Sequence, residues 1–354
     1  MYASHIFMLR LARVVKESNH FDLIRIILAV GILLVHSAGI TDTDELRYIL
    51  NYLNGDVIVK CFFVISGYLV MHSYNKKPGK PFFIKRILRV FPAYYAAILF
   101  TLLLGTFLTR LSFLDFITSQ ETLRYVVYNM CFLNFMQSSL PAVFDSNPLN
   151  AMDGSLWTIK SELILYVSIP LFIFISRKSE SLAYGLTFII SVAWVYYFMY
   201  VHVTPASRTM SLQFVGMASY FFGGAYFSAC TARNKSIIIT LISSAILYLI
   251  TKNTKTGFIL EIPLIISATL YVTLLAPRIV DMRKCGDYSY GLYLYHFPVM
   301  QTVINYGLYK SHPYLSIAIT FTVSLIFSVL SWHCLERKCL NHKENKKSLQ
   351  EAGH

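Results

Sequence analysis

Apolar runs of about twenty residues recur along nearly the whole chain, each long enough to cross roughly 30 Å of hydrocarbon. A backbone inside a bilayer finds no water to bond, so it satisfies its own N–H and C=O groups, and runs of this length do so as helices. Ten such runs fall at roughly 21–40, 56–74, 87–109, 155–176, 182–203, 210–229, 236–251, 257–277, 287–307 and 313–334. The expected fold is an all-α integral membrane protein of about ten transmembrane helices. Charged residues make up 14% of the chain, well under the quarter usual in soluble domains. No polar stretch is long enough for a separate soluble domain. The expected organisation is a cytoplasmic interfacial segment over 1–20, a membrane domain over 21–335 and a basic cytoplasmic tail over 336–354.

Orientation follows from the basic residues, which collect in cytoplasmic loops. With the N-terminus inside, and Arg89 at the rim of the third span counted with the loop before it, 21 of the 31 Lys and Arg fall in inner segments and seven in outer ones. The remaining three, Arg25, Lys60 and Lys160, sit within spans. A further segment, 121–139, carries Glu121, Arg124, Asn129, Asn134 and Gln137. As a full crossing it would invert every later loop, so a re-entrant or interfacial position is expected, with both termini cytoplasmic. A net charge of +13 then reflects loops facing an anionic leaflet and does not call for nucleic acid. The six cysteines show neither a CxxC pair nor metal-ligand spacing, so neither a disulfide framework nor a metal site is expected.

Ionisable groups inside a membrane are costly and tend to mark function. Arg25 and His36 lie eleven residues apart in the first run, on one helical face and about 16 Å apart along the axis; Asp22 flanks the same stripe. Arg86 and Arg89, three apart at the cytoplasmic start of the third span, share a face suited to phosphate. The fourth run opens Gly154-Ser155-Leu156-Trp157 and carries Glu162, a carboxylate able to orient an imidazole. In the ninth, Ser289, Tyr293 and His296 form one polar stripe. There His296 either serves the reaction or bonds a carbonyl near the ladder break at Pro298. Ser66-Gly67 reads as a close-packing point.

Together these stretches resemble the acyltransferase family 3 membrane proteins, which include bacterial O-antigen and exopolysaccharide O-acetyltransferases. The resemblance rests on Asp22 with Arg25 and His36, on Phe62-Phe63-Val64-Ile65-Ser66-Gly67-Tyr68, and on Arg86-Ile87-Leu88-Arg89 followed by Phe91-Pro92. It continues through Ser155-Leu156-Trp157 with Glu162, and through Ser289 to His296. Lys160 and the Lys338 that follows Glu336-Arg337 depart from the family pattern, and no role is carried to Glu336. The resemblance implies a bacterial inner-membrane enzyme using cytoplasmic acetyl-CoA as donor, with no tightly bound cofactor, and a glycan hydroxyl as acceptor. Arg25, Arg86 and Arg89 would serve the donor.

The mechanism expected is base catalysis by His36, or acyl transfer through it, with Glu162 holding the imidazole. Tyr293, Ser66, Asp22 and His296 are candidate substrate or oxyanion contacts. Intramembrane His and Glu also build proton relays, so a proton-coupled transporter or glycolipid flippase is the rival reading, and a non-catalytic subunit of a glycan export complex a third.

Overall fold

The computed structural model describes residues 20–277 and 286–340, and every regular element among them is helical. Ten long helices fall on the ten apolar runs: α1 Phe21–Ile40, α2 Gly55–Lys76, α3 Lys80–Leu108, α4 Trp157–Ser176, α5 Glu180–Tyr196, α6 Phe214–Ala229, α7 Arg233–Thr251, α8 Gly257–Leu274, α9 Tyr288–Asn305 and α10 Pro313–Ser331. Among the described residues eight helices are long and apolar enough to cross a membrane; the chain is a multi-pass helical membrane protein. The other two, α6 and α9, differ for separate reasons. α6 has 16 residues, about 24 Å, while α9 is made more polar by its tyrosines, His296 and Gln301. The interfacial segment expected over 1–20 and the tail expected over 336–354 lie outside the described residues, save His20 and 336–340.

Two local differences matter. α3 starts at Lys80, where Gly79 enters with φ of +75° and Pro81 sits in the first turn, both favoured at such a start. Arg86 and Arg89 therefore lie in its second and third turns, not in an opening turn. Within 121–139 the structure has a helix at Gln120–Met130 only, 11 residues long and about 16 Å. Ser119 caps it by accepting the Thr122 N–H at 3.1 Å, as N-cap serines do. A long irregular connection follows, up to α4.

The described residues form two compact units: 20–25, 59–75 and 164–277 in the first, 26–58, 76–163 and 286–340 in the second. In the first, α2 and α6 meet glycine to backbone. A Cβ on Gly67 would overlap the Phe221 carbonyl, and one on Gly224 would overlap that of Val64; Gly67 is thus a close-packing point, as small residues are between membrane helices. Lys60, one of the three in-span cations, pairs with Glu261 of α8 at 2.8 Å.

In the second unit α9 packs on α10. Ser316, Thr320, Ser324 and Ser328 are all buried and follow one another every fourth residue, so they line one face of α10. A Cβ on Gly291 would collide with Ser328, whose hydroxyl donates to the Tyr288 carbonyl. Tyr309 joins this seam to α1, its hydroxyl 3.1 Å from Thr320 and 2.9 Å from Ser37. α10 runs on through a wide π-helical turn, Trp332–Glu336.

Gly224→Ala is expected to lower thermal stability in detergent by on the order of 1–3 kcal/mol through overpacking. Gly185→Ala, where a Cβ meets nothing within 4 Å, is expected to be neutral or to stabilise by up to about 1 kcal/mol.

Candidate active site

The second unit brings the two intramembrane histidines together. His36 Nδ1 of α1 lies 2.9 Å from His296 Nε2 of α9, the rings near parallel with centroids 5.2 Å apart, and Phe297 stands edge-on to His36. His296 Nδ1 lies 2.8 Å from the Tyr293 carbonyl oxygen. A carbonyl can only accept, so Nδ1 of His296 carries the proton. In the neutral ring its Nε2 is then a lone-pair acceptor, and the donor in the pair must be His36 Nδ1–H. The consequence is a fixed tautomer: His36 keeps its lone pair on Nε2. His296 is fully buried and His36 half-buried, so the ring with the free lone pair is the less enclosed of the two.

His296 therefore fills both parts open to it from sequence, engaging a carbonyl through one nitrogen and orienting His36 through the other. The position at His36 Nδ1 that Glu162 was expected to hold is taken by His296. Glu162 lies one turn beyond Thr158 on the same face of α4. Thr158 Oγ1 is 2.6 Å from the Tyr293 hydroxyl, and Glu162 acts electrostatically on that phenol. The Tyr293 hydroxyl donates to the Ser155 carbonyl at 2.9 Å. To serve an oxyanion it would have to exchange that partner.

Asp153, four residues before the start of α4, escaped the sequence reading. Its Oδ1 accepts from the Ser155 N–H at 2.9 Å and the Ser155 hydroxyl at 2.6 Å. The residue is 5% exposed, and Oδ2 has no hydrogen-bond partner. Burial pushes the carboxyl up from 3.8 to about 7, against the pull of the two Ser155 bonds. The available signal was an acid two residues before a serine at a helix start, which reads equally well as an ordinary cap.

The two arginines of α3 are not equivalent. Arg89 donates to Glu336 at 3.0 Å and to Asp287, and its guanidinium lies against the rings of Tyr290 and Trp332. Glu336 is fully buried, also accepting from Ser331 at 3.1 Å. Arg89 thereby braces α3 against α9 and the end of α10. Arg86 is half-buried beside the Phe82 ring. Asp22, Arg25 and Ser66 belong to the first unit, where Ser66 lies 3.1 Å from the Tyr166 hydroxyl.

In this bundle of membrane helices one histidine sets the tautomer of another and leaves a lone pair on Nε2 of the half-buried His36. The bundle's class is fixed by comparison: residues 19–333 match the acyltransferase domain of acyltransferase family 3, and the chain belongs to that family. It is 27% identical over 340 residues to the O-acetyl transferase of Shigella phage Sf6, across 94% of this chain and 99% of that protein. It is also 26% identical over 356 residues to nodulation protein 10 of Rhizobium leguminosarum bv. viciae, across 91% and 93%. No solved structure matches. Membership makes the protein an acyltransferase, the reading set against a transporter or a non-catalytic subunit.

Arg89→Ala removes the cation paired with buried Glu336 and is expected to cost about 3–5 kcal/mol, seen as loss of folded protein in detergent. For Asp153 the sign runs against ionisation. A carboxyl raised by folding binds its proton more tightly in the native state, so stability is lost as pH rises from about 4 through about 7, by on the order of 4 kcal/mol. Asp153→Asn should remove that part of the pH dependence, measured as the difference between the two melting curves across this range.

Proposed function

We propose that this acyltransferase moves an acetyl group from acetyl-CoA to a hydroxyl of a cell-surface or lipid-linked glycan in the bacterial inner membrane. The observation that carries the reading is the His296–His36 hydrogen bond, because it leaves an unshared lone pair on Nε2 of the half-buried ring. His36 Nε2 takes the proton from the acceptor hydroxyl as its oxygen attacks the thioester carbonyl. The tetrahedral intermediate collapses, the C–S bond breaks, and the proton on His36 passes to the departing CoA sulfur. While His36 is charged, its Nδ1–H bonds the lone pair of His296 more strongly, and Glu162 supplies negative charge on the neighbouring face of α4. Acyl transfer through His36 itself uses the same free nitrogen.

Donor recognition falls to cationic side chains. Arg86 and Arg25 are suited to the CoA phosphates from the cytoplasmic side, and Arg89 acts by holding α3 in place. No tightly bound cofactor is required by this scheme. The partners are membrane lipids, acyl-CoA and the glycan, with the basic loops directed to the anionic leaflet and not to nucleic acid. The relative named as an O-acetyl transferase supports the choice of acetyl group and of oxygen as acceptor.

Membranes carrying the protein, given labelled acetyl-CoA, should yield labelled glycan. His36→Ala is expected to abolish the label at unchanged protein level. His296→Ala, which frees the tautomer, is expected to lower kcat on the order of 10²–10⁴-fold with little change in KM for acetyl-CoA. Label that persists in the His36 variant would refute the assignment.

A further inference from the structure

The connection between the helix Gln120–Met130 and α4 is long, and three of its residues, Phe132, Ala142 and Phe144, hold positive φ of 60°, 55° and 61°. Long irregular segments with such backbone gather at functional sites. Its far end is fixed to the histidine-bearing helices. Gln301 of α9 donates to the Leu149 and Ala151 carbonyls at 2.6 and 2.8 Å. Ala151 packs in one apolar cluster with Ala38 of α1 and with Phe297 and Met300 of α9. Those residues flank His36 and His296 in sequence, so Asp153, two residues past Ala151, is delivered to the neighbourhood of the histidine pair.

The titratable groups facing Asp153 are the phenols of Tyr94 from α3, Tyr125 from the short helix and Tyr293 from α9. Each has its proton placed elsewhere. Tyr94 donates to the Asn129 carbonyl and Tyr293 to the Ser155 carbonyl. Tyr125 pairs with Thr101, whose own hydroxyl donates to the Ile98 carbonyl. Oδ2 of Asp153 is thus a buried oxygen that no neighbour engages, and an acceptor once the carboxyl ionises. Capping α4 does not explain it, because Oδ1 alone makes both bonds to Ser155 and an asparagine would make them without a buried acid.

We propose that Asp153 Oδ2 accepts a hydrogen bond from a hydroxyl of the acceptor sugar adjoining the one acylated, and so helps select the acceptor. The inference rests on the acyltransferase reading above. Polyols are matched by carboxylate oxygens because O–H···O⁻ bonds are short and strong, and a site built around one rejects analogues lacking that hydroxyl. Entry of the sugar requires the connection to shift, and release of its left-handed residues offsets part of the cost.

The test uses the full-length protein in membranes, labelled acetyl-CoA, and a panel of methyl hexosides and 6-deoxyhexosides with their monodeoxy analogues. Asp153→Asn preserves the Ser155 bonds. It is expected to raise KM for the accepted glycoside on the order of tenfold or more, with KM for acetyl-CoA within twofold of wild type. One monodeoxy analogue should bind both proteins equally weakly. An unchanged glycoside KM in the variant, a fall in kcat alone, or equal discrimination by both proteins across the deoxy series would overturn the proposal while leaving the enzyme assignment standing. Failure of the wild type to release CoA or label any glycoside would bring down the acyltransferase reading, and this proposal with it.

Discussion

Hydrocarbon offers a polar group no partner except protein, and most of this structure follows from that one restriction. The backbone answers with helices. Side chains answer by pairing: Lys60 with Glu261, Arg89 with Glu336 and Asp287, and His36 with His296. In water each pair would be worth little. Here each partner makes the other tolerable, and losing one strands a group where solvation is poorest. In the histidine pair the same pressure yields chemistry, because satisfying one imidazole nitrogen leaves the other with its lone pair.

The serine and threonine row on α10 extends this logic to packing. Small side chains let α9 approach closely, and the hydroxyls of Ser316 and Ser328 bond carbonyls at the start of the same helix and in the facing one. Nothing is gained from burying apolar area between helices already in lipid, so close approach and such bonds hold the seam. The glycine contacts of α2 with α6 serve the first unit in the same way.

Much of the architecture was readable from hydropathy and charge, since ten apolar runs became ten helices and 121–139 proved too short a helix to cross. The family motifs likewise put attention on His36, Glu162, Arg86, Arg89 and His296. What could not be read was who meets whom. His36 and His296 are 260 residues apart, and Arg89 finds its carboxylates 198 and 247 residues away. Spacing made Arg86 and Arg89 look alike; only tertiary contacts show that Arg89 is the one held by Glu336 and Asp287. Asp153 was missed because its interest lies in one oxygen left without a hydrogen-bond partner, a property of its surroundings and not of any motif.

The wide turn at Trp332–Glu336 bears on how such a chain can diverge. A π-turn is an α-helix with one residue spliced in, and the extra residue swings everything after it by about 100°. Deleting one residue here would restore regular pitch and rotate Glu336 off the bearing that meets Arg89. The length of this turn is thus constrained as tightly as the identity of Glu336 at its end. In related chains a single-residue gap at this turn should be accompanied by loss of the arginine, the glutamate or both.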